Sequence, residues 1–380
     1  MSTPDKPGRQ LRAKVEAALQ RIWFDPNPGF TLGLVGLALR PLSALTGWVA
    51  SQRRRQIDQR RLEPDPDTAT DHQAFVIVVG NLVAGGAGKT PITLALASAL
   101  TQAGYSVGLM CRGGPASQHV AQLVVPDTKT GQFDPELGDE AVLLARSTGL
   151  PVAIGWRRSL ALRLLCELPE PPQVIISDDG LQHVALRRDI ELVVVDSRGL
   201  GNGRLLPAGP LREPVAAALS ANAIVLNAGW MASLASPFPS GPQTFTSHLE
   251  VRDIISLKDY LQHDPCLEPA VEMTVFDGKS LAAVATIANP GSFFDLLERL
   301  GLTVKRYAPG DHASLTTAWL NSLDEDIKII TEKDAVKCGL GDLDNIYVLR
   351  IAARPEPGLM SWLCQHLTEA GMPPNGPTNS

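Results

Sequence analysis

A doubly wound parallel α/β sheet built around a phosphate-binding loop is the fold the sequence predicts, and three features predict it. Short β-branched runs alternate with helical stretches from Ala74 onward. The first run leads through a glycine-rich turn into a helix opening with Gly88-Lys89-Thr90. A later run ends in two consecutive carboxylates, Asp178-Asp179. Strands alternating with helices imply parallel pairing through crossover connections. Ligands of such sheets bind beyond the carboxyl ends of the strands, where both the turn and the carboxylates would lie.

The elements follow in order. Ala74–Val79 reads as a buried strand and Thr90–Ala103 as a helix. Ser106–Cys111 is a second strand, Leu123–Val125 a third, and Gly138–Ser147 a helix. Val152–Ile154 and Gln173–Ser177 read as strands around a helix at Ser159–Glu167, and Ile190–Asp196 and Ala223–Leu226 as two more. Residues 230–270 lose the alternation and hold several prolines, so a connection or sheet edge is expected there. A second βα series begins near Leu281, with a helix at Ser292–Leu300 and strands at Val304–Tyr307 and Lys328–Thr331. The expected architecture is α/β: a P-loop kinase-like doubly wound parallel sheet, a second, smaller α/β domain and an N-terminal membrane-contacting helical segment. The division is 1–61 for that segment, 62–270 for the nucleotide-binding domain, 271–370 for the C-terminal domain and 371–380 for a disordered tail, with 62–73 as a linker.

The strongest motif is Gly80-Asn81-Leu82-Val83-Ala84-Gly85-Gly86-Ala87-Gly88-Lys89-Thr90. Glycines let backbone N–H groups curl around phosphates, and the helix N-terminus adds partial positive charge. Val83 through Thr90 would cradle the nucleotide, with Lys89 reaching its outer phosphates and the Thr90 hydroxyl offered to Mg²⁺. Val83 stands where the usual pattern has its first glycine. Asp178 and Asp179 can hold Mg²⁺ directly or through water. ATP and Mg²⁺ are thus the expected cofactors.

Composition narrows the partners. Across 380 residues, 44% are hydrophobic, 19% are charged and the net charge is −6, which fits a globular protein and not a nucleic-acid binder. Five scattered cysteines without a CxxC spacing argue for reduced thiols and against a zinc site. Residues 1–20 are polar, so no secretory signal is expected. Gly29–Ala50 is apolar but broken by Arg40-Pro41, and Arg53, Arg54, Arg55, Arg60 and Arg61 follow. That break opposes a spanning helix, which needs about 20 unbroken apolar residues. An apolar helix flanked by Trp23 and Trp48 and followed by arginines suits an anionic membrane surface. A buried helix hairpin with a solvated basic tail is the alternative.

Several motifs together resemble one family, the tetraacyldisaccharide 4'-kinases. They are the GNLVAGGAGKTP loop, DDGLQH at Asp178–His183, LLPAGPLREP at Leu205–Pro214, TEKDAVKC at Thr331–Cys338 and the PLSAL segment before the basic run. The resemblance implies MgATP-dependent phosphorylation of the 4'-hydroxyl of a tetraacyldisaccharide 1-phosphate, giving lipid IVA for lipid A. It implies a lipid disaccharide substrate and peripheral or monotopic attachment to the cytoplasmic face of the bacterial inner membrane; no obligate protein partner is evident from the sequence. Asp139 sits where the family has its catalytic aspartate, and His312 where it has the partnering histidine. A carboxylate oriented by an imidazole can accept a sugar hydroxyl's proton. Arg212 and Glu213 match residues near the phosphates and metal, so Arg212 joins the catalytic set and Glu213 the metal set. The chain departs from the family at Cys111-Arg112-Gly113-Gly114, which lacks a tyrosine, at Thr286-Ile287-Ala288 and at Ala313. Two other readings of a P-loop chain remain: an NTPase of the metal-chaperone or partitioning type, and a membrane-bound nucleotide sensor without turnover.

Overall fold

The computed structural model describes residues 7–62, 74–118, 120–125, 133–229, 236–238, 241–262, 270–287, 289–310, 315–339 and 341–376. Three helices come first, α1 (Pro7–Phe24), α2 (Phe30–Ala38) and α3 (Arg40–Leu62). The nucleotide-loop half follows as β1 (Phe75–Gly80), α4 (Lys89–Gln102), β2 (Val107–Cys111), β3 (Gln122–Leu123), α5 (Asp139–Thr148), β4 (Val152–Ile154), α6 (Arg158–Cys166), β5 (Val174–Asp178), β6 (Ile190–Asp196), α7 (Ala216–Leu219) and β7 (Ala223–Asn227). The remainder is β8 (Gln243–Ser256), α8 (Leu257–Gln262), β9 (Leu281–Val284), α9 (Pro290–Arg299), β10 (Val304–Tyr307), α10 (Thr317–Asn321), β11 (Ile327–Thr331), α11 (Glu332–Ala335), β12 (Ile346–Pro355) and α12 (Pro357–Glu369).

All twelve strands form one sheet, in the order β10-β9-β11-β12-β8-β7-β6-β1-β5-β2-β4-β3. Pairing is parallel except between β8 and β12 and between β3 and β4. β1 is buried on both faces because its neighbours β5 and β6 flank it and helices cover it. Phe75, Ile77 and Val79 join a core with Ile92 and Leu96 of α4 and Leu144 of α5. Val76 and Val78 point to the opposite core, with Ala161 and Leu165 of α6. This period-2 division requires cover on both faces, as parallel sheets do. Leu359, Leu363 and Leu367 of α12 join the first core, so the last helix crosses back onto the nucleotide-loop half.

The connection or edge expected within 230–270 is instead β8, a 14-residue strand inside the sheet. Its first residues pair parallel with β7, and nearly its whole length pairs antiparallel with β12. Glu250 and Asp253 face Arg354 and Arg350 across that ladder, the second pair bonding at 2.5 and 2.7 Å. Charged cross-strand pairs stabilise the strand while removing the apolar run by which sequence identifies one. Of the tail residues, Asn375 N–H donates to Gly104 O at 2.9 Å and Pro373 O accepts from Gln173 at 2.9 Å. Residues 63–73, most of the expected linker, lie outside the described residues.

Helices α2 and α3 meet at a 45° bend where Arg40-Pro41 interrupts the apolar stretch. Among the described residues no single helix is long and apolar enough to cross a membrane; this bent pair meets the test by length and composition. The pair is not a buried hairpin: Phe30 is 83% exposed and Trp48 63%, and Leu34, Leu37, Leu42 and Leu45 are also exposed. What holds the segment down is polar. Trp23 Nε1 donates to Pro207 O at 2.9 Å, and Ser43 Oγ donates to Leu205 O at 2.8 Å. The arginine cluster is not uniformly solvated either. Arg53 and Arg55 are exposed, but Arg54 is buried and grips Glu191 of β6 with both terminal nitrogens, at 3.2 and 2.8 Å. Arg188 completes the pairing of Glu191 at 2.6 Å. A buried glutamate needs such partners, which is why one arginine turns inward.

Candidate active site

The nucleotide loop sits at the carboxyl end of β1, and its shape is set by contacts on every side. Gly88 takes a left-handed conformation (φ 72°) at the start of α4. A Cβ there would lie 2.1 Å from Asn227 Nδ2, so only glycine fits. Asn227, at the end of β7, donates to Ala87 O at 3.2 Å, and Arg198 donates to Gly86 O at 2.6 Å. Val83, the departure from the usual first glycine, forms a β-bridge with Leu211 and packs in a small core with Leu82. Gly85 and Gly88 are the loop positions with positive φ, so a β-branched residue is tolerated at 83. Ala84 N–H donates to Pro210 O and Arg212 N–H to Leu82 O, at 2.7 and 2.6 Å. The Leu205–Pro214 motif is thereby the loop's outer wall.

Two of the expected site residues, Lys89 and Arg212, converge on a third, Asp179. Lys89 Nζ lies 3.3 Å from Asp179 Oδ1 and donates to Asn81 Oδ1 at 3.0 Å. Arg212 Nη1 reaches both Asp179 oxygens at 3.3 Å. Asp179 itself has φ 53°, a left-handed backbone uncommon outside glycine. Burial alone would raise its carboxyl, but Lys89 and Arg212 outweigh that and hold it below the ordinary range. Asp178 has the opposite environment. The Thr90 hydroxyl donates to its Oδ2 at 2.9 Å, whereas its Oδ1 is buried without a hydrogen-bond partner. Burial, with the nearby Glu140 charge, pushes its carboxyl up to about 6. An orphaned carboxylate oxygen beside a threonine hydroxyl at a phosphate loop is the donor chemistry Mg²⁺ takes.

The expected fourth metal ligand behaves differently. Glu213 is buried, and burial raises its carboxyl against the pull of the Gln182 amide and the Arg54 guanidinium. Its other charged neighbours are Glu191 and Arg188. Among the described residues no three His, Cys, Asp or Glu side chains gather in a metal-binding group.

Asp139 opens α5, placed there by a chain of close backbone contacts. Gly114 N–H donates to Leu137 O at 2.7 Å, and a Cβ on Gly114 would stand 2.4 Å from Glu136 O. The missing tyrosine thus coincides with a backbone packed against the turn that delivers Asp139. Two lysines from the TEKDAVKC motif approach Asp139 Oδ2, Lys333 at 3.8 Å and Lys337 at 3.7 Å. Lys333 also bonds Glu140 at 3.2 Å. His312, Ala313 and Ala288 lie outside the described residues. Beside the carboxylates, Arg112 stacks on Trp156 at 4.2 Å, and buried Arg158 donates to Gly155 O at 2.6 Å. Burial and Arg158 together depress His183 to about 4, so its imidazole is neutral at pH 7. Sequence reasoning missed Asn81, Asn227, Arg198, Glu140 and Lys337. Asn227 ends a strand, and applying the carboxyl-end rule to every strand would have found it.

Comparison with known proteins follows this geometry. The family model for tetraacyldisaccharide-1-P 4'-kinase (LpxK) matches residues 35–368. The tetraacyldisaccharide 4'-kinase of Bordetella parapertussis is 35% identical over 334 residues, 87% of this chain and 92% of the relative. That of Neisseria meningitidis serogroup C is 36% identical over 362 residues, covering 94% and 97%. Among solved structures, LpxK from Aquifex aeolicus in complex with ATP superposes with a TM-score of 0.68 at 26% identity, covering 87% of this chain and 99% of that one.

A stability prediction follows from Asp178. Its raised carboxyl means that the nucleotide-free protein pays about 3 kcal/mol to keep the group ionised above pH 6. The penalty begins near pH 4, where the unfolded carboxyl ionises, and is complete once the folded one has ionised near 6. Asp178→Asn should therefore raise the Tm of the nucleotide-free protein at pH 8 and leave it unchanged below pH about 4. Thermal melts of both proteins across pH check this.

Proposed function

The chain belongs to the tetraacyldisaccharide-1-P 4'-kinase family and is a tetraacyldisaccharide 4'-kinase of lipid A biosynthesis, and we propose that Asp139, Lys89, Thr90, Asp178, Asp179 and Arg212 carry its chemistry. One observation carries the reading: a phosphate loop, a paired cation set and the Asp139 carboxylate share one edge of the sheet.

The acceptor's 4'-oxygen attacks the γ-phosphorus of ATP, the bond to the bridging oxygen of ADP breaks, and Asp139 takes the hydroxyl proton. The phosphorylated acceptor is lipid IVA. His312 is the proposed partner of Asp139. Backbone N–H groups from Val83 to Thr90 cradle the phosphates, while Lys89 and Arg212 meet the negative charge on the transferring group. In the nucleotide-free protein those two cations are held by Asp179, which keeps them aimed. Thr90 and Asp178 would hold Mg²⁺, which when bound neutralises phosphate charge. Asp139→Ala should lower kcat by about 10²–10⁴-fold with little change in ATP affinity, because Asp139 is outside the loop. The assay is phosphate transfer from ATP to tetraacyldisaccharide 1-phosphate in mixed micelles; a kcat within twofold of wild type would remove Asp139 from the chemistry.

For location, we read α2 and the start of α3 as a monotopic anchor on the cytoplasmic face of the inner membrane. The exposed apolar side chains from Phe30 to Trp48 support this, since water-facing patches of this kind mark membrane or protein contacts. Replacing Phe30, Leu34 and Leu37 together with aspartate should lower partitioning onto anionic phospholipid vesicles by at least about tenfold. ATP binding should be unaffected, because Ser43 and Arg54 still fasten the segment. Sedimentation with vesicles makes the measurement, and undiminished binding would move the membrane contact to another surface.

A further inference from the structure

The Thr331–Cys338 motif has no part in the loop chemistry, yet it aims two ammonium groups at Asp139. Asp334 explains how. It is fully buried, and both its oxygens are occupied: Oδ2 by Thr286 N–H at 3.0 Å and the Thr331 hydroxyl at 2.8 Å, Oδ1 by the Thr286 hydroxyl and Lys337. Lys337 Nζ is fixed by Asp334 Oδ1 at 3.1 Å and by the Thr286 hydroxyl. Its remaining reach is toward Asp139 Oδ2, 3.7 Å away. Lys333 straddles Asp139 and Glu140. The other end of α5 is held from the same half of the chain, by Arg146 donating to Tyr260 O at 2.7 Å and Leu261 O at 3.2 Å. The helix that carries Asp139 is thus gripped at both ends by segments that follow β8.

We propose that Lys337, with Lys333 beside it, is a positioning residue for phosphoryl transfer: a cation delivered from the β9–β11 side of the sheet that fixes the Asp139 carboxylate for the acceptor hydroxyl. The proposal rests on the reading of Asp139 as the proton acceptor. The pre-built network explains the choice of lysine. Asp334 receives three bonds without it, from Thr286 N–H and the Thr286 and Thr331 hydroxyls, and the buried aspartate serves to lock the ammonium in one direction. Lys333 also pairs with Glu140, whose charge bears on Asp178 as well.

The experiment is a double-mutant cycle on the full chain, with ATP and tetraacyldisaccharide 1-phosphate in mixed micelles. The variants are Lys337→Gln, Lys337→Arg, Asp139→Asn and the Lys337→Gln/Asp139→Asn double. Lys337→Gln keeps a donor for Thr286 and Asp334 but loses the charge. It should lower kcat on the order of tenfold, leave the KM for ATP within about twofold, and cost under about twofold more once Asp139 is Asn. Lys337→Arg retains the charge and should keep kcat within about threefold of wild type, even if Lys337→Gln folds poorly. An unchanged kcat in Lys337→Gln, losses that multiply in the double variant, or an arginine as damaging as glutamine would each overturn the proposal. An Asp139→Asn protein with wild-type kcat would overturn the base reading as well, which separates the two failures.

Discussion

Four carboxylates, Asp139, Glu140, Asp178 and Asp179, occupy the edge of the sheet where a triphosphate must bind, and the rest of the site is a response to that crowding. Like charges a few ångströms apart repel by several kcal/mol even in a medium of intermediate polarity. Each of the four meets a different answer. Asp179 has Lys89 and Arg212, Asp139 has Lys333 and Lys337, and Glu140 has Lys333. Asp178 has the Thr90 hydroxyl and the charge of Lys89, which burial outweighs, so its carboxyl is raised. It is the one we propose a metal ion satisfies. The compensating cations come from three separate stretches of chain, which is why the twelve strands must form one sheet for the site to exist.

The same economy links the N-terminal helices, with their exposed apolar side chains, to the loop. Residues 198–212 touch both. Their backbone accepts from Trp23 and Ser43 on one side, and closes on Leu82, Val83 and Ala84 on the other. Arg212 ends that segment and turns to Asp179, and Arg198 begins it and holds Gly86. Arg54 adds a second tie through Glu191 to Arg188, whose guanidinium donates to Leu181 O in the loop that follows Asp179. The exposed apolar helix pair is therefore joined to the phosphate loop by a short run of hydrogen bonds to main-chain carbonyls and one buried ion group.

Much of this was legible in the sequence where local chemistry is decisive. Gly88-Lys89-Thr90 after an apolar strand specifies a loop wherever it occurs, and Asp178-Asp179 at a strand end specifies where the loop's ligands sit. The strands from β1 to β7 other than β3 are buried on both faces and announce themselves as apolar runs. What stayed hidden depends on distant partners. β8 carries Glu250 and Asp253, which make sense only against Arg354 and Arg350 of β12. Arg54 looks like its neighbours until Glu191 is beside it. The direction of Lys337 is set by Asp334 and Thr286, the latter 51 positions away. Sequence separation, more than residue type, divides what could be read from what could not.

The central proposal is that a metal ion completes Asp178, whose Oδ1 has no hydrogen-bond partner. The direct measurement is the affinity of Asp178→Asn for ATP, once with Mg²⁺ and once in excess EDTA, against wild type at pH 8. Removing the charge should weaken MgATP binding and strengthen metal-free ATP binding, so the two dissociation constants move in opposite directions. A change in the same direction under both conditions would contradict the account, because Asp178 would then be acting on the nucleotide or the fold and not through the metal.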